Sequence, residues 1–424
     1  MAQQKYKIIQ GDVLTELKNL PADYFDAVLS DPPYGISFLG CVWDQGVPST
    51  EVYTALMRVL KPGAFGLHFG GTRMWHRLAV NLEDSGFEIR DTLMWLYGSG
   101  FPKSHSLGKA LDKKAGAARK VVGKKLANIG MQGGNFVNGT GGRGEIEITE
   151  AASEEAKLWE GYGTALKPAW EPCILVQKPL DGTYANNALA HHCGALNIDA
   201  CRVGSELITQ RQNTGGQKFG RRFSHGENLP VNGPSTVTEG RWPANLILDE
   251  EAGEILDAQS GTRPGGNYPA KRGKAVATAF ASGQETEGGQ RKMGDTGGAS
   301  RFFYCAKVST AERNGGCDSF DKKRPDDRDE VAAGHFHEKG IQPARNPHPT
   351  LKPLALTEYL ARLLLPPKQK GKTRRILVPF SGAGSEMIGC LKAGWDEVWG
   401  IELSDEYVDI AHARIAHHTK AKKL

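Results

Sequence analysis

The chain has 424 residues, 39% of them hydrophobic and 24% charged, and a formal net charge of +5. This length is enough for two or three compact units, and the composition excludes a disordered chain. No apolar run approaches the ~20 residues of a membrane span, the first residues lack a signal-peptide core, and the mildly basic charge is compatible with nucleic acid.

The cysteines favour a reducing environment. Seven are scattered along the chain without a C-x-x-C pair, which favours free thiols and a cytoplasmic location. The cluster of His191, His192 and Cys193, with Cys201 further on, lacks the ligand spacing of a structural zinc site, so we expect no metal.

Residues 1–108 alternate strand-like and helix-like runs. One helix is predicted to begin with Thr50 as its N-cap and to end just before Gly63. Because strands alternate with helices, the zone predicts the α/β class, with a parallel sheet covered on both faces. The predicted elements are a strand at 5–10, a helix at 12–20, a strand at 25–31, a helix at 50–62, a strand at 64–70, a helix at 72–86 and a strand at 93–97.

Residues 345–424 likewise alternate strand-like and helix-like runs, and their last helix is predicted to be capped by Ser404. The predicted elements are a helix at 357–365, a strand at 374–380, a Gly-rich turn and helix at 381–394, a strand at 397–403 and a helix at 404–419.

Residues 109–344 differ from both flanking zones, because they are rich in Gly, Asn, Gln, Ser and Arg. Three strand-like islands interrupt them, at 172–180, 244–250 and 301–308. A flexible linker is one interpretation. We favour a substrate-binding module with mobile loops, because a long irregular insertion in a compact enzyme is usually functional or disordered.

The stretch SDPPYG follows the strand at 25–31. Pro32 and Pro33 fix the backbone, so Asp31 and the Pro32 carbonyl are two acceptors held beside the ring of Tyr34. Two acceptors and a stacking surface suit a planar exocyclic amine, and a simple turn is the alternative.

A Gly-rich turn follows the strand at 374–380, where Phe380, Gly382 and Gly384 precede a helix N-terminus that can receive a ligand. The next strand ends in Glu402, which is placed to accept hydrogen bonds from ribose hydroxyls. The full G-x-G-x-x-G pattern and a G-K-[ST] sequence are both missing, so a nucleoside cofactor without phosphates fits better than a dinucleotide or a triphosphate.

A third motif, NPHPTLKP, contributes His348, Thr350 and Lys352 just before the first helix of the C-terminal zone. By itself it is a polar loop. Together with the other two motifs it predicts a lid over the cofactor.

With these three motifs the chain resembles the S-adenosylmethionine-dependent DNA amino-methyltransferases, which methylate N6 of adenine or N4 of cytosine. DPPY looks like their catalytic motif, FSGAG like their cofactor motif F-x-G-x-G, and HPTLKP like the segment at the methionine end of the cofactor. The motif order resembles the circularly permuted β class, and the islands resemble phage and prophage members.

The resemblance implies a Rossmann-like methyltransferase fold with a mostly parallel seven-stranded sheet and a large Gly-rich insertion. Residues 1–108 would be the catalytic half and 345–424 the cofactor-binding half. The insertion at 109–344 would include the target-recognition region, with 172–180 returning to the main sheet. The family often has Asp where this chain has Val378, and Glu386 at the helix start is a candidate substitute.

The resemblance also implies site residues. Those that hold the target base would be Asp31, Pro32, Pro33 and Tyr34. Those that bind the cofactor would be Asp12, Asp31, Thr350, Lys352, Pro379, Phe380, Ser381, Gly382, Gly384 and Glu402. Candidates for phosphate contacts, each alternatively a solvated surface charge, are Lys103, Lys109, Lys113, Arg119, Arg221, Arg222 and Arg241.

We therefore expect methyl transfer from S-adenosyl-L-methionine to N6 of an adenine flipped out of double-stranded DNA, in the cytoplasm of a bacterial or phage-infected cell. N4 of cytosine is the alternative base position, and a catalytically inactive DNA-binding module is the non-enzyme alternative. Cytosine C5 methylation would need a nucleophilic cysteine, and Cys173 opens an apolar strand instead. The resemblance allows a homodimer and a cognate restriction enzyme, and implies no membrane partner.

Overall fold

A computed structural model of the protein describes residues 4–36, 42–98, 100, 104–128, 143–211, 235–264, 267–268, 291–292, 296–306, 312–323, 345–348 and 350–423. The chain divides into two compact units. The first comprises Met1–Asn197, Asn245–Ala252 and Ala306–Leu424, and the second comprises Ile198–Ala244 and Gly253–Cys305.

The helices are α1 Val13–Asn19, α2 Thr50–Val59, α3 Trp75–Asp84, α4 Leu107–Ala115, α5 Glu154–Leu158, α6 Tyr184–His191, α7 Glu250–Ser260, α8 Leu354–Leu364, α9 Ser385–Ala393 and α10 Asp405–His418. No helix in these described ranges is long and apolar enough to cross a bilayer.

The strands are β1 Lys5–Gln10, β2 Phe25–Ser30, β3 Leu60–Phe69, β4 Glu88–Leu96, β5 Lys120–Asn128, β6 Arg143–Glu150, β7 Trp170–Gln177, β8 Val203–Arg211, β9 Ser235–Arg241, β10 Leu246–Asp249, β11 Arg263–Pro264, β12 Asn267–Tyr268, β13 Arg291–Lys292, β14 Thr296–Gly297, β15 Tyr304–Ala306, β16 Arg375–Val378, β17 Glu397–Glu402 and β18 Lys422–Lys423.

One large sheet organises the first unit. Its nine strands that lie wholly in this unit follow the order β10-β4-β7-β3-β2-β16-β17-β1-β18, and β15 is the tenth strand. β7 runs antiparallel to β3 and β4, whereas all other neighbours among the nine pair in parallel. The predicted α/β class with a mostly parallel sheet is confirmed.

The sheet has ten strands among the described residues, instead of the predicted seven. The difference lies in β10 and β15, which correspond to two of the strand-like islands but were not assigned to the sheet, and in β18, whose two residues are too few to leave a hydrophobic pattern. Two strands of the C-terminal zone, β16 and β17, lie between β2 and β1 of the N-terminal zone. The circular permutation itself stays a prediction.

A large apolar core packs helices against this sheet. Tyr53, Leu56 and Val59 on α2 and Leu78 and Leu82 on α3 are buried in it. Burying one such aliphatic side chain contributes roughly 1.5–3 kcal/mol. The core therefore anchors the strands whose ends carry the motifs.

Some predicted element ends are confirmed and others differ, as in β4, which begins at Glu88 and not at 93. β1 has the predicted bounds, and Ser404 caps α10 by accepting a hydrogen bond from the Tyr407 N–H. The helix predicted at 50–62 instead follows Ser49 as its N-cap and ends at Val59. The chain turns extended at Leu60, so Gly63 lies inside β3 with a φ of +74° and does not cap the helix.

The Gly-rich zone contains more regular structure than its composition predicts. The three islands correspond to β7, β10 and β15, but α4 to α7 and the antiparallel hairpins β5–β6 and β8–β9 were not predicted. Their polar, Gly-containing sequences carry too little periodic hydrophobicity to signal helix or strand.

Candidate active site

Four neighbouring parallel strands carry the predicted motif residues at one edge of the sheet. Asp31 follows β2, the Gly-rich turn follows β16, Glu402 ends β17 and Asp12 follows β1. The register pairs Val28 of β2 with Leu377 of β16. Because parallel strands present their carboxyl ends at a common edge, motifs from the two ends of the chain lie side by side, where open α/β sheets bind ligands.

Asp31 lies at the centre of a buried polar network. Its Oδ2 accepts a hydrogen bond of 2.7 Å from the ammonium of Lys352, and its Oδ1 accepts one of 2.9 Å from the hydroxyl of Tyr34. The side chains of Lys352 and Asp31 are 5% and 10% exposed. Lys352, predicted to bind the cofactor, is thus a direct partner of the carboxylate that is predicted to be catalytic.

Glu171 is a fourth member of this network, and it lies in none of the predicted motifs. Its Oε2 lies 3.0 Å from the Tyr34 hydroxyl and 3.4 Å from Nζ of Lys352. β7 is antiparallel, so its first residues lie where the parallel strands end, and Glu171 pairs in register with Trp95 of β4. The available signal was one acidic residue near the start of an otherwise apolar strand.

The network fixes the protonation of its two donors. Burial alone would lower the pKa of Lys352, but the charges of Asp31 and Glu171 more than offset it and raise the pKa above its usual value. Burial, followed by the same two charges, raises the pKa of Tyr34 well above its usual value. Lys352 therefore stays a cation and Tyr34 stays a neutral hydroxyl donor. The Lys352 ammonium also lies 4.9 Å from the ring centroid of Phe69.

Glu386 adds a further carboxyl group from the first turn of α9, where it is buried. Burial and the charge of Asp31 raise the pKa of Glu386 to about 7, against the opposing effect of Lys352. Val378, at the position where the family often has Asp, is fully buried. A carboxyl group is therefore present near Asp31 and Lys352, although it comes from the helix and not from the strand.

The Gly-rich turn is tied to the end of β17 by Glu402. Its Oε2 accepts a hydrogen bond of 2.7 Å from the Gly382 N–H, and its Oε1 accepts one of 2.9 Å from the Ser404 N–H. Gly382 and Gly384 have φ angles of +47° and +81°, a backbone region that favours glycine. A Cβ on Gly382 would lie 2.5 Å from Nε2 of His348.

The remaining predicted site residues differ in their contacts. Asp12 caps α1, because its Oδ1 accepts hydrogen bonds of 3.0 Å from both the N–H and the hydroxyl of Thr15. Thr350 donates its N–H to Nδ1 of His348 at 3.4 Å. Ser381 is buried, and its hydroxyl has no hydrogen-bond partner within the described residues. Pro32 and Pro379 are buried, and Pro33 is partly buried. Phe380 is also partly buried and packs against the core.

The candidate DNA contacts fall into three groups. Lys109 and Lys113 are exposed on α4. Arg119 is paired with Asp112 and Glu160. Arg241, in the second unit, is 11% exposed and paired with Glu206. These ion pairs favour structural roles for the two arginines. Outside the described residues lie Lys103, Arg221 and Arg222.

Cys173 lies in the interior of β7 and is buried. Burial, reinforced by the charge of Asp31, raises the pKa of this thiol strongly. A thiol held in its neutral form is a poor nucleophile, which favours the core role expected for it.

Comparisons with known proteins relate the chain to methyltransferases. No family model matches it. A type II methyltransferase, M.HindIII of Haemophilus influenzae, is 24% identical over 236 residues, which cover 45% of this chain and 64% of M.HindIII. The chain thus matches less than two thirds of the length of that relative. This match confirms the methyltransferase resemblance that the motifs carry, while the phage type and the β-class order stay predictions.

Two solved structures are similar to the chain along most of its length, each at 12% identity. A complex of M1.HpyAVI with SAM has a TM-score of 0.36 and covers 96% of this chain and 99% of its own. The cytosine-N4-specific PvuII DNA methyltransferase has a TM-score of 0.40, with coverage of 97% and 89%.

Proposed function

We propose that the protein is a DNA methyltransferase that transfers a methyl group from S-adenosyl-L-methionine to the N6 amine of adenine in duplex DNA. One observation carries the proposal. The Asp31–Tyr34 clamp and the Gly-rich turn with Glu402 lie at adjacent strand ends of one sheet, and Lys352 ties the third motif to Asp31. This arrangement supports a site for an amine beside a site for a nucleoside.

The residues around the Gly-rich turn fit such a cofactor. The Glu402 carboxylate is held in one orientation by two backbone N–H groups, and it would accept hydrogen bonds from the ribose hydroxyls. Asp12 would lie by the adenine, and the buried hydroxyl of Ser381 has no hydrogen-bond partner in the part of the chain that the structure describes. When bound, the cofactor supplies a methyl group on a positively charged sulfonium, whose bonding electrons stay on sulfur after the transfer.

The clamp residues act on the amine. Asp31 and the Pro32 carbonyl would accept its two N–H groups, which favours a pyramidal nitrogen with an available lone pair. Positive charge develops on this nitrogen as the new N–C bond forms, and the Asp31 carboxylate stabilises it and then accepts the released proton. The Tyr34 ring would stack on the base and fix its plane.

The base must leave the duplex to reach this clamp, which costs a few kcal/mol of unstacking that phosphate contacts must offset. We propose that the 109–344 insertion supplies these contacts, with Lys109 and Lys113 of α4 as the exposed candidates in the described part of the chain. The division into catalytic and cofactor-binding halves, the cytoplasmic location, the homodimer and the cognate restriction enzyme are proposed on the resemblance alone.

N4 of cytosine is the second candidate acceptor, because the same two acceptors and ring would hold the amine of either base. A catalytically inactive DNA-binding module is the third candidate. The closed network of Asp31, Tyr34, Glu171 and Lys352 argues against it, since a module without catalysis has no need to keep a buried cation and two carboxylates together.

The proposal is tested with purified protein, labelled S-adenosylmethionine and duplex DNA. Wild-type protein should transfer label to the DNA. Asp31→Ala and the isosteric Asp31→Asn should abolish transfer while calorimetry still detects cofactor binding. Transfer that survives in both variants would overturn the assignment of Asp31.

A further inference from the structure

Both partners of the Asp31 carboxylate are shared with Glu171. The Tyr34 hydroxyl lies 2.9 Å from Oδ1 of Asp31 and 3.0 Å from Oε2 of Glu171. The Lys352 ammonium lies 2.7 Å from Oδ2 of Asp31 and 3.4 Å from the same Oε2. Glu171 thus shares both hydrogen-bonding partners of Asp31.

The chemistry of the donors makes this duplication significant. A phenol has one proton and donates it to one acceptor at a time, so Tyr34 has two alternative hydrogen bonds of almost equal length. An ammonium has three protons and can serve both carboxylates together. Small movements within one buried network therefore move these contacts from Asp31 to Glu171 without breaking an ion pair.

A target amine would compete for the same oxygens of Asp31. While Asp31 accepts from Tyr34 and Lys352, much of its negative charge is already neutralised, and its power to polarise an amine is reduced. A second carboxylate within reach of both donors removes this conflict.

We propose that Glu171 is a positioning residue that takes over the Tyr34 hydroxyl, and shares more of the Lys352 charge, when Asp31 accepts the amine of the target base. The inference rests on the proposed amine methylation and adds a residue that none of the motifs contains. The Tyr34 ring would keep its orientation during the exchange, because its hydroxyl stays bound to a carboxylate throughout.

A matched substitution separates this role from simple packing. Glu171→Gln preserves shape and leaves a neutral acceptor. Glu397→Gln is the control, because Glu397 is also a strand residue in a partly buried ion pair, 3.0 Å from Arg375, near the amino end of β17. We expect Glu171→Gln to lower the single-turnover transfer rate about tenfold or more. The dissociation constants for DNA and cofactor should stay within about twofold, and Glu397→Gln should leave the rate unchanged.

A double-mutant cycle with Tyr34→Phe tests whether the Tyr34 hydroxyl moves its hydrogen bond from Asp31 to Glu171. If Glu171 acts through the Tyr34 hydroxyl, the effect of Glu171→Gln should shrink to less than about threefold in the Tyr34→Phe background. An equal effect in both backgrounds, or a wild-type rate in Glu171→Gln, would overturn the inference.

A second readout does not depend on methyl transfer. The infrared difference spectrum between full-length protein and its Tyr34→Phe variant reports the hydrogen bond of the Tyr34 phenol. In Asp31→Asn the phenol should still be bound to a carboxylate, and only the further change Glu171→Gln should shift its band fully. A full shift of the phenol band in Asp31→Asn alone would refute the proposed transfer of the Tyr34 hydrogen bond to Glu171. Absence of methyl transfer by wild-type protein would instead refute the proposed function.

Discussion

Replacement of Lys352 by methionine perturbs the network at its one cation. The Lys352 ammonium is 2.7 Å from Asp31 and 3.4 Å from Glu171, and its side chain is only 5% exposed. Removal of one member of a buried ion pair costs about 3–5 kcal/mol, because the remaining charge is left buried without its partner. Methionine retains most of the apolar stem, so we expect the free energy of unfolding to fall by about 3 kcal/mol from charge loss rather than from packing.

The loss of stability in Lys352→Met should also depend on pH. Lys352 opposes the rise in the pKa of Glu386, so its removal raises that pKa further above about 7. A group whose pKa is higher in the folded state stabilises the protein at low pH, and this stabilisation disappears as the pH rises through the folded-state pKa. The loss of unfolding free energy caused by Lys352→Met should therefore be larger at about pH 8.5 than at about pH 6.

Urea-induced unfolding at both pH values measures the effect. Lys18→Met is the control, because Lys18 and Glu51 form a pair at 2.8 Å whose side chains are 56% and 63% exposed. Exposed pairs contribute about 0–1 kcal/mol. If Lys352→Met loses no more stability than Lys18→Met at either pH, the account of a buried, charge-balanced network is wrong.

Three further predictions concern the carboxyl of α9, the Gly-rich turn and α4. The pKa of Glu386, raised to about 7 from 4.5, makes the protein lose stability as pH rises through that range, so Glu386→Gln should flatten the free energy of unfolding between about pH 5 and 8. An unchanged pH profile would contradict the burial of this carboxyl. Gly382→Ala should weaken cofactor binding by calorimetry about tenfold or more, whereas Gly371→Ala, which has a φ of +76° and open space around its Cβ, should bind normally. Lys109→Glu should lower the slope of log K against log salt for DNA binding by about 1, and Lys370→Glu should not. Equal salt slopes for Lys109→Glu and wild-type protein would exclude a phosphate contact by Lys109.

The sequence predicts the sheet of the first unit well, because its strands and helices have clear periodicity. β1 and the cap of α10 by Ser404 lie where the pattern places them. β10 and β15 are recognised as apolar islands but not as members of the sheet, and the two-residue β18 is too short for that signal. The Gly-rich zone is predicted least well, since its hairpins and α4 to α7 are formed from polar segments whose order depends on tertiary contacts.

The motif residues could be proposed from sequence because most of them lie in or next to turns with a distinctive composition. Glu171 could not, because its role depends on an antiparallel strand that brings its first residues to the carboxyl edge of the sheet. The direct bond between Lys352 and Asp31 likewise joins residues from opposite ends of the chain. No local pattern encodes such a contact.

The identity of the methylated product tests the central claim most directly. Duplex DNA incubated with purified protein and labelled S-adenosylmethionine would be digested to nucleosides and separated by chromatography. The proposed function predicts label in N6-methyladenine, lost in Asp31→Asn. Label in N4-methylcytosine, or DNA that carries no label after incubation with folded, cofactor-binding protein, would contradict it.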